Sequence, residues 1–320
     1  MSDRPSVFVT RKLPSAVEER LLSGYDVTLN PDDEAPSAAD LTAAMAGYDA
    51  LVSTVSDRID AQILAGTDLR VRIIANVGVG FNNIDVATAT QRSIRVSNTP
   101  DVLTEATADI ALFLILASTR GATDAERRLR AGAWTGFSLV DHLGMSVQGN
   151  VLGIVGMGRI GQATARKAAL ALGMTVVFFN RSPVNGLGFE ATQLDSLEEL
   201  MATADVVSLH VPGGASEPAV TAEHLALMKP TAHLVNTARG DSVDQDALIA
   251  ALTERRIAGA GLDVYVDEPT VPPALRELPN VTLLPHVGSA TDEVRTAMGM
   301  AAVDNLDAFF AGTELPSAVG

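Results

Sequence analysis

The chain has 320 residues, enough for two domains at roughly 150 residues each. Lys and Arg total 23 against 39 Asp and Glu, and the resulting formal charge of −16 argues against phosphate backbones and anionic lipid as partners. Apolar residues make up 47% and charged residues 19%, too apolar for disorder, and the lack of cysteine excludes disulfides, thiolate metal sites and Cys nucleophiles.

No apolar stretch approaches the roughly 18 residues of a spanning helix. The first eleven residues lack the basic flank and apolar run of an export signal. A soluble, cytoplasmic protein is therefore expected.

Val7–Val9, Val27–Leu29, Ala50–Val52, Ile73–Ala75 and Ile94–Val96 read as short buried strands, with Ala-rich amphipathic stretches such as Ala16–Leu22 and Leu41–Met45 between them. Strands parted by single helices predict βαβ units and a parallel sheet. Leu103–Thr119 reads as a longer helix with Thr104 as its N-cap, a spine between two units. The alternation resumes with Val151–Val155, Val176–Phe179, Val206–Leu209, His233–Val235, Gly261–Val264 and Val281–Leu284, and a helix over about Asp292–Phe310 closes the chain. Asn98-Thr99-Pro100 and Gly288–Ala290 are candidate linkers. If both are hinges, the C-terminal helix completes the first unit and the middle unit is inserted into it; periodicity alone leaves that topology open.

Val151–Val155 runs directly into Gly156-Met-Gly158-Arg-Ile-Gly161 and then a helix, so the G-x-G-x-x-G pattern stands in its required context. Gly156 permits the tight turn, Gly158 the approach of a pyrophosphate, and Gly161 close packing of helix on strand. The helix start at Arg159 and Ile160 offers N–H groups and partial positive charge to that anion. A dinucleotide site is the expectation. At the end of the next strand an Asp or Glu would select NAD through the ribose hydroxyls. Asn180-Arg181-Ser182 stands there instead, with no carboxylate and a guanidinium suited to a 2′-phosphate, so NADPH is expected over NADH.

Of the five histidines, His224 reads as a helix-surface residue and His233 as a core residue, leaving His142, His210 and His286. His210 and His286 follow strands, as do Arg239 and Glu268, so all four fall on the sheet edge where ligands bind. No HExxH pair or His cluster suggests a metal.

Several ordered segments together resemble the D-isomer-specific 2-hydroxyacid dehydrogenases: Val77–Asp85, Asn98-Thr-Pro100, Gly156–Gly161, Leu209-His-Val-Pro212, Asn236-Thr-Ala-Arg-Gly240, Gly261-Leu-Asp-Val264 and Pro285–Thr291. The likeness is greatest to the family's glyoxylate/hydroxypyruvate reductases. It implies an α/β fold of two Rossmann- or flavodoxin-like domains with parallel sheets. Residues 1–98 plus 289–320 would form the substrate domain, and residues 99–288 an inserted NAD(P)-binding domain. It further implies a homodimer with the long helix at the interface, and Trp134 as a residue able to reach the partner's active site.

By the same resemblance, Arg239 binds the substrate carboxylate and polarises the keto oxygen, the Val79 and Gly80 amides hold the carboxylate from the other side, and His286 protonates the developing alkoxide. Glu268 orients the imidazole and keeps it charged near neutrality. Asp263 lies on the nicotinamide side, and His210, Pro212, Thr237 and Gly288 complete the cofactor's contacts. Formate dehydrogenases of this fold carry Gln where Glu268 stands, so Glu268 favours alcohol–ketone chemistry. No long extension follows Gly320, unlike the long phosphoglycerate dehydrogenases. One departure is Gly213-Gly214 in place of the family's usual Leu-Thr, which predicts a looser turn. The expected activity is reduction of glyoxylate or hydroxypyruvate, with a bulkier 2-keto acid such as 2-ketogluconate, or a non-catalytic NAD(P)-sensing co-repressor, as alternatives.

Overall fold

The computed structural model describes residues 4–320. The chain divides into two compact units, one running to Leu103 and resuming over Ser289–Gly320, the other spanning Thr104–Gly288. Residues 99–103, expected to open the inserted unit, thus belong to the outer one.

The outer unit alternates strand and helix: β1 (Ser6–Val9), α1 (Ser15–Gly24), β2 (Asp26–Thr28), α2 (Ala38–Gly47), β3 (Ala50–Thr54), α3 (Ala61–Leu64), β4 (Ile73–Val77), α4 (Val86–Gln91) and β5 (Arg95–Ser97). The order β2-β1-β3-β4-β5 is parallel throughout and flavodoxin-like. β4 is buried along its whole length, as a central strand covered on both faces must be. Asp85 caps α4 by accepting from the Thr88 amide, which ends the turn after β4 and starts the helix.

In the inserted unit, α5 (Thr104–Thr119) and α6 (Ala122–Arg130) precede β6 (Val151–Val155), α7 (Arg159–Leu172), β7 (Thr175–Phe179), β8 (Thr192–Gln193), α8 (Leu197–Thr203), β9 (Val206–Leu209), α9 (Ala222–Leu227), β10 (His233–Asn236), α10 (Gln245–Thr253), β11 (Gly259–Leu262), α11 (Pro273–Glu277) and β12 (Val281–Leu283). The chain then returns to the outer unit with α12 (Asp292–Phe310) and β13 (Ala318–Val319), which adds one antiparallel strand beside β5.

The inserted sheet has the order β12-β11-β10-β9-β6-β7-β8, all parallel. Its order reverses at β6, the topological switch point at which such sheets bind ligands. Alternate residues feed two cores: Leu152, Ile154, Val176 and Phe178 pack with Leu114 and Ile115 of α5, while Val177, Val207 and Leu209 pack with Leu200 and Leu225. Burial on both faces is why these strands read as unbroken apolar runs.

Two further expectations are corrected. Thr104 is the first residue inside α5 and not its N-cap. β11 spans Gly259–Leu262, two residues earlier than the apolar pattern implied. Its glycines are there for close packing: a Cβ at Gly261 would come within 2.9 Å of Leu114 Cβ on α5. No helix among the described residues is long and apolar enough to cross a membrane.

Candidate active site

The glycine turn leaves β6 at the switch point. Gly156 has φ +94°, and a Cβ there would lie 2.6 Å from the His210 carbonyl oxygen. A Cβ at Gly161 would lie 2.2 Å from the Gly156 carbonyl oxygen, so α7 can start this close to the strand only on glycine. Gly158 differs: apart from its two chain neighbours, no described residue lies within 4 Å of the position its Cβ would take. The chain's own packing therefore does not demand a glycine at 158. A glycine there leaves an open cradle at the start of α7, whose first-turn amides, such as those of Ile160 and Gly161, lack intrahelical acceptors. Donor set and clearance suit a bound pyrophosphate.

The turn after β7 is held from within. The Asn180 side chain accepts from the Met157 amide at 3.2 Å and donates to the Ser182 carbonyl at 3.0 Å, while Gln193 Nε2 donates to the carbonyls of Asn180 (3.1 Å) and Ser182 (3.2 Å). Arg181 projects from this fixed turn, exposed and making no hydrogen bond or ion pair with the described residues. At the end of β9, His210 Nε2 pairs with Ser208 Oγ at 2.9 Å, and burial pushes its imidazole below its ordinary value, leaving it neutral. Pro212 follows in the same loop. Thr237, after β10, is 7% exposed and its hydroxyl has no partner among the described residues.

Registration of the sheet assembles the ionisable residues. Asn236 pairs with Leu262 and Leu262 with Leu283, so β10, β11 and β12 end level and release three loops side by side. Arg239, Glu268 and His286 stand on those loops. The Asn236 side chain braces the first, accepting from the Ala238 amide at 2.9 Å and donating to the Arg239 carbonyl at 2.8 Å. Arg239 Nη1 donates to the Ala238 carbonyl at 2.7 Å. Gly240 then touches the second loop, where a Cβ would fall 1.9 Å from the Tyr265 carbonyl carbon.

Glu268 bridges the other two loops. Its Oε1 accepts from the Tyr265 amide at 2.9 Å and its Oε2 lies 2.6 Å from His286 Nδ1. Burial pushes the Glu268 carboxyl up, but the hydrogen bond and charge of His286, the Tyr265 amide and Arg239 outweigh it and hold the group below its ordinary value. Burial lowers Arg239, opposed by the charges of Glu268 and Asp241.

The His286 backbone has φ +53°, a conformation a non-glycine residue keeps only when its surroundings impose it. Asp263 imposes it. Its carbonyl accepts from the His286 amide at 2.9 Å, and its carboxylate accepts from the Val287 amide at 2.7 Å and the Gly288 amide at 2.8 Å. Burial raises the Asp263 carboxyl, partly countered by those two amides and by His286. Inside this unit Asp263 secures the His286 loop. With Nδ1 engaged by Glu268, His286 Nε2 is the nitrogen left to exchange a proton.

Trp134 lies on the segment after α6, 64% exposed, in a run with Phe137 (87%), Leu139 (80%), Val140 (81%) and Leu143 (76%). In the outer unit the turn after β4 carries Val79 and Gly80. Asn98 Nδ2 donates to the Val79 carbonyl at 2.8 Å and Asn76 Nδ2 to the Gly80 carbonyl at 3.0 Å, while neither turn amide has an acceptor among the described residues.

Sequence reasoning missed two features. Asn236 acts as the brace of the Arg239 turn, a role its place beside the motif hinted at. Gly213-Gly214, read as a loose turn, is tied: the Gly214 amide donates to Asp241 Oδ2 at 2.7 Å.

Comparison with known proteins follows the same lines. The family described as D-isomer specific 2-hydroxyacid dehydrogenase, NAD binding domain, matches residues 112–288. A glyoxylate reductase of Thermococcus kodakarensis is 43% identical over 99% of this chain and 96% of its own. The structure of TT0316 protein from Thermus thermophilus superposes with a TM-score of 0.89 at 42% identity, covering 98% of this chain and all of that one. An NADPH-dependent glyoxylate/hydroxypyruvate reductase of Sinorhizobium meliloti, solved with NADP and malonate, gives a TM-score of 0.88 at 39% identity over 99% of this chain and 97% of its own.

Proposed function

The chain belongs to the D-isomer specific 2-hydroxyacid dehydrogenase family, and from that premise we propose an NADPH-preferring reductase of small 2-keto acids, glyoxylate or hydroxypyruvate. It is a nicotinamide-dependent oxidoreductase acting on 2-hydroxy acids. The observation that carries the mechanistic reading is the 2.6 Å Glu268–His286 pair on the same sheet edge as Arg239.

Gly156–Gly161 with the α7 start would hold the pyrophosphate, Arg181 the 2′-phosphate, and His210, Pro212, Thr237 and Gly288 the remainder of the cofactor. When bound, a reduced nicotinamide supplies a hydride. The chain's own residues do the rest. Arg239 presents a planar two-pronged donor that fixes the substrate carboxylate and orients the keto group. His286 Nε2 delivers a proton to the keto oxygen as negative charge develops there. Glu268 offsets the imidazolium charge and fixes the ring so that Nε2 faces outward. In the outer unit, the Val79 and Gly80 amides are proposed as carboxylate donors. The exposed apolar run from Trp134 to Leu143 supports a homodimer.

The test is the initial rate of cofactor oxidation, NADPH beside NADH, with glyoxylate, hydroxypyruvate, pyruvate and 2-ketogluconate. Fast NADPH turnover with the first two acids is expected. A preference for 2-ketogluconate would move the substrate to a bulkier acid, and silence with all four would refute the reading. His286→Asn is expected to lower kcat by ~10²–10⁴ with NADPH binding intact, the scale of general acid catalysis. Near-normal turnover would remove His286 from the chemistry.

A further inference from the structure

The loop leaving β9 is bound to the Arg239 segment by contacts the reaction itself does not require. Its Gly214, at φ +81°, donates its amide to Asp241 Oδ2 at 2.7 Å. A Cβ on Gly213 would fall 2.4 Å from Asp241 Oδ1 and 2.7 Å from both Cβ and Cγ of Arg239, so the bare glycine lies directly on the stem of the arginine. Asp241 Oδ1 is buried and accepts no hydrogen bond from the described residues. Farther along, the Val220 amide donates to the Ser242 carbonyl at 3.0 Å and the Asp244 amide to the Val220 carbonyl at 2.9 Å, so the loop is fastened at both ends to residues 241–244.

Arg239 needs such support. Its guanidinium loses hydration on burial, and Glu268 and Asp241 are the two acids whose charges oppose that loss. Glu268 is already shared with His286. A long, rotamer-rich side chain that waits in its binding conformation spares the substrate the ordering entropy. We propose that Asp241, held by the Gly214 amide and covered by Gly213, is a positioning residue that balances the charge of Arg239 and fixes its stem for the substrate carboxylate. This inference rests on the reading of Arg239 as the carboxylate ligand. Gly213-Gly214 is then the matching half of the device, because any side chain at 213 displaces both partners.

The experiment compares Asp241→Ala, Asp241→Asn and Gly213→Ala with the parent enzyme, measuring KM for glyoxylate, KM for NADPH, kcat and Tm. Asp241→Ala and Gly213→Ala should each raise KM for glyoxylate about tenfold, the scale of one hydrogen bond to a charged group, and leave KM for NADPH within twofold. Asp241→Asn keeps an oxygen acceptor for the Gly214 amide and should recover part of the loss. A fall in Tm with both KM values rising together, and no rescue by Asn, overturns the proposal and leaves only a structural tie. If Asp241→Ala does not fold, Gly213→Ala carries the same comparison. Arg239→Lys separates the two readings. If it binds glyoxylate normally, the assignment of Arg239 fails; if it is crippled while Asp241→Ala is unaffected, only the positioning role fails.

Discussion

Glu268→Gln changes one charge and almost no volume at the centre of the site. In the parent, Glu268 Oε2 lies 2.6 Å from His286 Nδ1, and the two side chains are 33% and 34% exposed. A hydrogen bond between charged partners is worth about 1.5–3 kcal/mol against about 1 for a neutral one. Solvent reaching a third of each side chain screens the difference of about 0.5–2 kcal/mol toward its lower end, about 0.5 kcal/mol. That is about twofold in a rate. In the proposed mechanism His286 gives its proton to the keto oxygen as charge develops there, and the Glu268 carboxylate holds the ring for that transfer. Glu268→Gln should therefore lower kcat for glyoxylate reduction by about twofold or more and leave KM for NADPH as in the parent. Initial rates at saturating NADPH and constant ionic strength measure it. An unchanged kcat, or a KM for NADPH that rises as kcat falls, would refute the reasoning.

The glycine turn yields a paired prediction. Gly161→Ala should fail to fold or melt well below the parent, because its Cβ would meet the Gly156 carbonyl at 2.2 Å; Gly158→Ala, with no described residue but its two chain neighbours within 4 Å, should keep its Tm and raise KM for NADPH, and thermal melts beside kinetics tell them apart. Arg181→Asp should raise KM for NADPH far more than KM for NADH; equal effects would mean the 2′-phosphate is held elsewhere. Burial pushes His233, 6% exposed with an Nδ1 unpaired among the described residues, from 6.5 down to about 4. The unfolded chain then binds the extra proton between those values, so stability is full above pH 6.5 and falls as pH drops toward 4, by about 2 kcal/mol between pH 7 and 5. His233→Leu should remove that part of the slope in urea titrations; an unchanged slope would exonerate His233.

Much of this architecture was legible because it rests on local patterns. The strand–glycine–helix passage at 151–172 and the final helix at Asp292–Phe310 stand where the sequence places them, since buried parallel strands are continuous apolar runs and Thr291 supplies a cap to the last helix. The short helices α3 and α4 are held by Asp60 and Asp85 caps and show too little periodicity to find. β11 was displaced because its glycines answer to α5 and to His233, contacts distant in sequence. Arg239, Glu268 and His286 were recognisable as strand-end residues, yet the loop that supports the arginine was misread. Gly213-Gly214 looks permissive in isolation and becomes restrictive only when Asp241 and Arg239 fold against it.

Arg239, Glu268 and His286 sit on the ends of three neighbouring parallel strands whose last residues are level. Adjacent strands are spaced at about 4.8 Å, so the outermost two stand roughly 10 Å apart by backbone pitch alone. In the proposed mechanism the sheet thus acts as a ruler, with carboxylate clamp and proton donor at fixed graduations. On that reading it measures the two-carbon keto acid head common to the 2-keto acids and takes no reading of the tail. Mutations elsewhere can widen or narrow the range of acids reduced while the ruler, and the reaction it meters, stay the same.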